Sequence, residues 1–169
     1  PMRVFSIWEG GLAIWGGVLG GLAGLAVFAR YRKMPLGLLT DIAVPGLVLA
    51  QGIGRIACVI TGDAMGKVTT GPFGFAYTST NAMVPALGVY YTPTPIYEMV
   101  MNITIFAILW RLRVKQLPQG ALSLTYFILY STGRFFITFW SSYQTVALGL
   151  NQAQLISLGA LAVCVPTLI

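Results

Sequence analysis

Long apolar stretches recur along this chain, and they leave few folds open to it. They run from about Gly10 to Ala29, Leu36 to Ile60, Ile96 to Leu112, Ala121 to Trp140 and Asn151 to Ile169. Each is near the ~20 residues that a helix needs to cross the hydrocarbon core of a bilayer. Charge is correspondingly scarce: 57% of the residues are hydrophobic and 8% are charged, against about 25% charged in an ordinary soluble domain. In hydrocarbon every backbone polar group must be satisfied inside a helix or a closed barrel. The runs here are continuous rather than alternating over ~10 residues, which disfavours a barrel. The sequence predicts an all-α integral membrane protein, multi-pass, with about five transmembrane helices forming a single domain over residues 1–169.

Where the cations lie decides what the +6 net charge means. Arg30, Arg32 and Lys33 form one knot and Arg111, Arg113 and Lys115 another, each between apolar runs. Basic residues gathered in short loops mark the cytoplasmic side, so the charge reads as topological and not as a nucleic-acid surface. With both knots inside, the spans alternate without conflict and the segment 61–93 lies outside, between the second and third helices. That segment is rich in Gly, Thr, Pro and aromatics, and its breakers predict a small extracytoplasmic cap of turns or short strands. The chain has no histidine and two distant cysteines, Cys58 and Cys164, which implies no metal site, no disulfide framework and no cofactor. No signal-peptide pattern opens the sequence, and Pro1 stands where an initiator methionine is expected; a missing N-terminal portion is the expectation.

The remaining ionisable residues fall at similar depth. Arg55 lies ~19 residues past the inner end of the second span, about 28 Å, and Arg134 ~13 residues past that of the fourth, about 20 Å. Glu98 stands at the outer start of the third span and Asp63 at the base of the cap. Ionisable groups inside spans are costly, and they pair or line a functional cavity. Two readings stay open. The arginines pair structurally with Asp63 and Glu98, or they form an anion site for phosphate, which guanidinium forks match bidentately; at the outer leaflet that phosphate belongs to a phospholipid headgroup. Glu98 itself reads as a helix N-terminal acid favoured by the dipole, a proton acceptor or an orienter. Asp41 reads as a plain N-terminal helix residue, Glu9 as an interfacial one, and Cys58 as a small buried hydrophobe. The stripe Gly16-x-x-x-Gly20-x-x-x-Gly24, with Gly17 and Gly21 beside it, predicts close helix contact, or else the wall of a lipid-sized groove. Trp8, Trp140, Tyr90 and Tyr91 fit an interfacial aromatic belt.

Several segments together resemble the prolipoprotein diacylglyceryl transferases of bacterial inner membranes. Gly54-Arg55-Ile56-Ala57-Cys58-Val59-Ile60-Thr61-Gly62-Asp63, followed by Gly66-Lys67 and Pro72-Phe73-Gly74, is similar to the family signature Gly-Arg-Ile-Gly-Asn-Phe-x-Asn-Gly-Glu and the start of its periplasmic head. Trp8-Glu9-Gly10-Gly11, leading to Trp15-Gly16-Gly17, resembles the family's Trp-x-Gly-Gly segment. Thr92-Pro93-Thr94-Pro95-Ile96-Tyr97-Glu98 and Tyr130-x-x-Gly133-Arg134-Phe135 resemble its His-Pro-x-x-Leu-Tyr-Glu and Tyr-Gly-x-x-Arg-Phe. Leu148-Gly149-Leu150 with Gln154-Leu155-x-Ser157 is similar to the lead into its last helix.

The resemblance implies transfer of the diacylglyceryl group of phosphatidylglycerol to the lipobox cysteine of a prolipoprotein signal peptide, the first step of lipoprotein lipidation. The setting would be the bacterial inner (plasma) membrane with the active side facing outward, and the five spans would be the last five of about seven. Arg55 and Arg134 would hold the phosphate, Glu98 and Asp63 would orient them or accept a proton, and Gly54, Gly66 and Tyr97 would shape the substrate site. The sequence departs from the pattern at Trp15 and Thr92 for histidines, Cys58 and Thr61 for asparagines, Asp63 for Glu, Ser131 for Gly, and Thr138 for a Glu. These losses support a rival expectation, a non-catalytic membrane protein in which the same arginines bind or carry a phospholipid.

Overall fold

Proline and glycine punctuate the chain where its helices begin and end. The computed structural model describes residues 12–142, 145–147 and 149–168, with side chains described over 20–142 and 149–167. Five helices account for most of it: α1 (Leu12–Arg32), α2 (Leu36–Thr61), α3 (Thr94–Leu112), α4 (Ala121–Ile137) and α5 (Gln152–Leu168). Pro35 precedes α2 and Pro95 lies in the first turn of α3, positions where a missing N–H costs nothing. Gly62 ends α2 with φ 75°, the left-handed conformation that glycine adopts without strain. α4 stops at Ile137, short of the expected Trp140.

Two of these helices, α2 and α3, are long and apolar enough to cross a membrane. α4 and α5 have 17 residues each, a rise of about 26 Å. Large apolar side chains point outward along them, among them Val27, Ile42, Ile53, Val100, Phe136 and Val163, while Glu98, Asn102, Ser123, Ser131, Gln154 and Ser157 are buried. That is the reverse of a water-soluble arrangement and suits a surface that meets lipid.

The core forms where α2, α3 and α4 meet, from Val44, Val48, Ile105, Leu109, Leu122 and Tyr126. Polar bonds join the helices around it. Tyr126 donates to Gln51 Oε1 at 3.0 Å. Asp41 reaches from α2 to the start of α4, where its carboxylate accepts from Gly120 N at 2.7 Å and from Ser123 N and Oγ at 2.8 and 2.7 Å. It was expected to serve its own helix. It caps another instead, because Gly120 at that N-terminus has no side chain to do so. At α5, Asn151 Oδ1 accepts from Gln154 N at 2.9 Å while Gln154 Oε1 accepts from Asn151 N at 3.0 Å, a reciprocal capping box. Asn151 Nδ2 also donates to Thr138 O at 3.3 Å, tying α5 to the end of α4.

Among the described residues helix α1 packs chiefly against α2. Among the described residues a Cβ at Gly20, Gly21 or Gly24 would meet nothing within 4 Å, so these three make no close contact there. Small residues permit approach but supply no attraction to enforce it. Gly16 and Gly17 lie outside the residues whose surroundings are described.

Between α2 and α3 the chain folds as turns around a two-stranded hairpin, β1 (Phe75–Ala76) and β2 (Tyr90–Tyr91), with Phe75 opposite Tyr91 and Ala76 opposite Tyr90. A second hairpin, β3 (Thr145–Ala147) and β4 (Leu150–Asn151), precedes α5. The first is fastened to α2 by Met83 N donating to Thr61 O at 2.8 Å and by the Tyr77 hydroxyl donating to Val59 O. Burial pushes the Tyr77 phenol up from its ordinary pKa of 10.0. Tyr91 corrects an expectation: it is 4% exposed, inside the cap, and its hydroxyl accepts from Ala86 N at 3.0 Å. Tyr90 and Trp140 are exposed, and Trp8 lies outside the described residues.

Candidate functional site

Helix polarity brings three ionisable side chains to one end of the bundle. Arg55 lies near the C-terminal end of α2, Glu98 in the second turn of α3 and Arg134 near the C-terminal end of α4. The Glu98 carboxylate is divided between the arginines: Oε2 meets Arg55 Nη2 and Oε1 meets Arg134 Nη1. Side-chain exposure is 7% for Glu98, 15% for Arg134 and 24% for Arg55. The acid is therefore sealed in, while both arginine side chains keep partial exposure. Among the described residues two arginines face one carboxylate, and the partly desolvated setting strengthens their attraction for an anion relative to bulk water.

The neighbouring groups leave donors and acceptors to spare. Among the described residues Arg55 Nη1 meets Cys58 Sγ alone, at 3.8 Å, a weak acceptor that an oxygen anion would displace. One turn beyond Glu98, Asn102 is 2% exposed, and its Oδ1 has no hydrogen-bond partner among the described residues. Thr138, where the resemblance led to an expected Glu, donates its hydroxyl to Arg134 O at 2.7 Å and offers no carboxylate. No group of three or more Cys, Asp or Glu able to hold a metal occurs among the described residues.

The other expected site residues are placed differently. Asp63 is exposed just past the end of α2 and accepts from Ala64 N at 2.8 Å; it forms no ion pair among the described residues. Gly66 is a junction. A Cβ there would lie 2.4 Å from Trp140 O and 2.6 Å from Thr94 Oγ1, while its N–H donates to Thr92 O at 2.8 Å. Beside it Lys67 N donates to Trp140 O at 3.0 Å and Lys67 Nζ to Phe139 O at 3.1 Å. The cap, the start of α3 and the end of α4 are thus stapled where only glycine fits, which holds Glu98 and Arg134 in relation to each other. Tyr97 is partly exposed and lines a cleft of about 540 Å³ with Phe73, Phe75, Pro93 and Ile96. Gly54 faces open space, and no contact explains it. Glu9 and the side chain of Trp15 lie outside the described residues.

A family model described as prolipoprotein diacylglyceryl transferase matches residues 1–169. The chain belongs to the prolipoprotein diacylglyceryl transferase family. Relatives named phosphatidylglycerol–prolipoprotein diacylglyceryl transferase include one from Dehalococcoides mccartyi, 37% identical over 92% of this chain and 60% of the relative. One from Limosilactobacillus reuteri is 39% identical over 81% of this chain and 52% of the relative. One from Oceanobacillus iheyensis is 42% identical over 80% and 49%. The chain thus spans less than two thirds of the length of these relatives. Sequence reasoning placed Arg55, Glu98 and Arg134 near one another but missed Asn102, although an amide four positions beyond Glu98 in an apolar helix was a readable signal.

Proposed function

We propose that the protein transfers the diacylglyceryl group of phosphatidylglycerol to the lipobox cysteine thiol of prolipoprotein signal peptides. It would act as a five-span membrane domain of a bacterial inner membrane, with the cap and the Arg55–Glu98–Arg134 cluster facing outward. The observation that carries this reading is the sharing of one buried carboxylate by two partly accessible arginines. Glu98 orients both guanidiniums with its two oxygens, and the phosphate is held against their positive charge. In the reaction a carbon–sulfur bond forms between the thiol and the terminal glyceryl carbon of the diacylglyceryl group. The bond from that carbon to the phosphate oxygen breaks, and glycerol phosphate departs with the electron pair. Both arginines stabilise the charge that grows on that oxygen. The thiol proton leaves to the exposed Asp63 carboxylate or to water. Gly66 acts as a positioning residue, and Gly54 and Tyr97 border the path of the substrate.

The test is mass spectrometry of a lipobox peptide incubated with the full-length protein in membranes containing phosphatidylglycerol. The expected product carries a diacylglyceryl increment on cysteine, and Arg134→Ala lowers its formation at least about a hundredfold while the protein still inserts. Phosphatidylglycerol bound without any increment or release of glycerol phosphate would make the protein a binder or carrier instead.

A further inference from the structure

At the other end of the bundle a second cleft, of about 420 Å³, opens where the first half of α2 meets the turn between α3 and α4. Its walls include Ile42, Trp110 and Leu117, which are apolar and exposed, and its rim carries Arg113 and Lys115. The Arg113 guanidinium lies over the Trp110 ring at 3.2 Å from its centroid. That stacking occupies the face of the fork and leaves its N–H edge free. Neither the Arg113 fork nor the Lys115 ammonium meets a protein acceptor among the described residues. Asp41 also lines the cleft, but both its oxygens are engaged at the start of α4, where that helix's dipole offsets its charge. Two free cations beside an apolar wall match a headgroup phosphate joined to acyl chains.

We propose that this cleft binds an anionic phospholipid of the inner leaflet, its phosphate on Arg113 and Lys115 and an acyl chain along Ile42 and Trp110. The site is separate from the Arg55–Glu98–Arg134 cluster and rests on the transmembrane orientation proposed above, not on the transferase activity. The full-length protein is reconstituted in phosphatidylcholine vesicles, and its tryptophan fluorescence is quenched with brominated phosphatidylglycerol or brominated phosphatidylcholine. Subtracting the signal of Trp110→Phe isolates Trp110. Half-quenching of Trp110 is expected at a roughly tenfold lower mole fraction of the anionic lipid. Arg113→Gln combined with Lys115→Gln removes that preference, and Arg113→Lys keeps most of it. Arg134→Ala leaves it intact, and a wild-type protein that forms no transfer product yet shows the Trp110 preference defeats the transferase reading alone. Equal quenching by the two lipids, or a preference lost with Arg134→Ala, overturns the proposal. Should the double variant not fold, the wild-type preference must still collapse in about 1 M salt, where screening is nearly complete; persistence there overturns it too.

Discussion

Glu98 is the residue on which the candidate site depends. Glu98→Gln removes the anion and leaves two guanidiniums converging on a neutral amide. Loss of about 2–4 kcal/mol of stability is expected, at the lower end of the range for breaking a buried pair because both arginines keep some water. Thermal unfolding in detergent checks it, and an unchanged midpoint would show that the two ion pairs do not matter to the fold. Asn102→Leu should behave in the opposite way. It removes a buried acceptor that lacks a partner, so stability is expected to stay level or rise by about 1 kcal/mol; a large loss would reveal a bond to Asn102 Oδ1. Spacing along helices was enough to bring Arg55, Arg134 and Glu98 to one depth. It was not enough to choose between Glu98 and Asp63, since both stand near the outer ends of their helices. The choice follows from direction: Glu98 projects into the bundle from α3, while Asp63, one residue past a left-handed glycine, turns to the outside and accepts from its neighbour's N–H.

Among the elements, α4 depends on α2 for its first turn. Asp41→Ala should cost about 1–2 kcal/mol, the range for a charged cap at a helix N-terminus. The loss should appear as faster amide exchange at Gly120 and Ser123, with α3 unaffected. The first hairpin carries a pH signature through Tyr77. Its phenol is held neutral by burial, so its folded pKa lies above 10.0. Its stabilising effect is present below that value and is lost as pH rises through and beyond it. Attachment of the hairpin to α2 should therefore weaken above about pH 10, as limited proteolysis of the 62–93 segment would report. Tyr77→Phe should abolish that dependence, having no proton to lose. Apolar runs and breakers made the helices legible to within a few residues. Tyr91 was misjudged because an aromatic side chain states what a surface permits and not what will cover it.

Three of the five helices surround a small core, and backbone contacts at Gly66 fasten the segment between α2 and α3 to the end of α4 near the Arg55–Glu98–Arg134 cluster. Gly66→Ala should separate the cap from the end of α4, because its Cβ would sit 2.4 Å from a carbonyl oxygen that belongs to the backbone. The expected result is a loss of lipobox modification of at least about tenfold, comparable to misplacing a catalytic group by an ångström, with the helix content in circular dichroism retained. Full activity would mean that the staple is dispensable. What the sequence by itself determined is the set of helices, their order, the two basic turns and the end of the bundle at which Arg55, Glu98 and Arg134 lie, because those follow from local composition and a constant rise per residue. Only the tertiary structure decided which carboxylate the arginines share, that Asp41 serves α4 and that Tyr91 is buried. Those outcomes depend on side-chain direction and on contacts between segments as many as 82 residues apart, and hydropathy and spacing do not encode either.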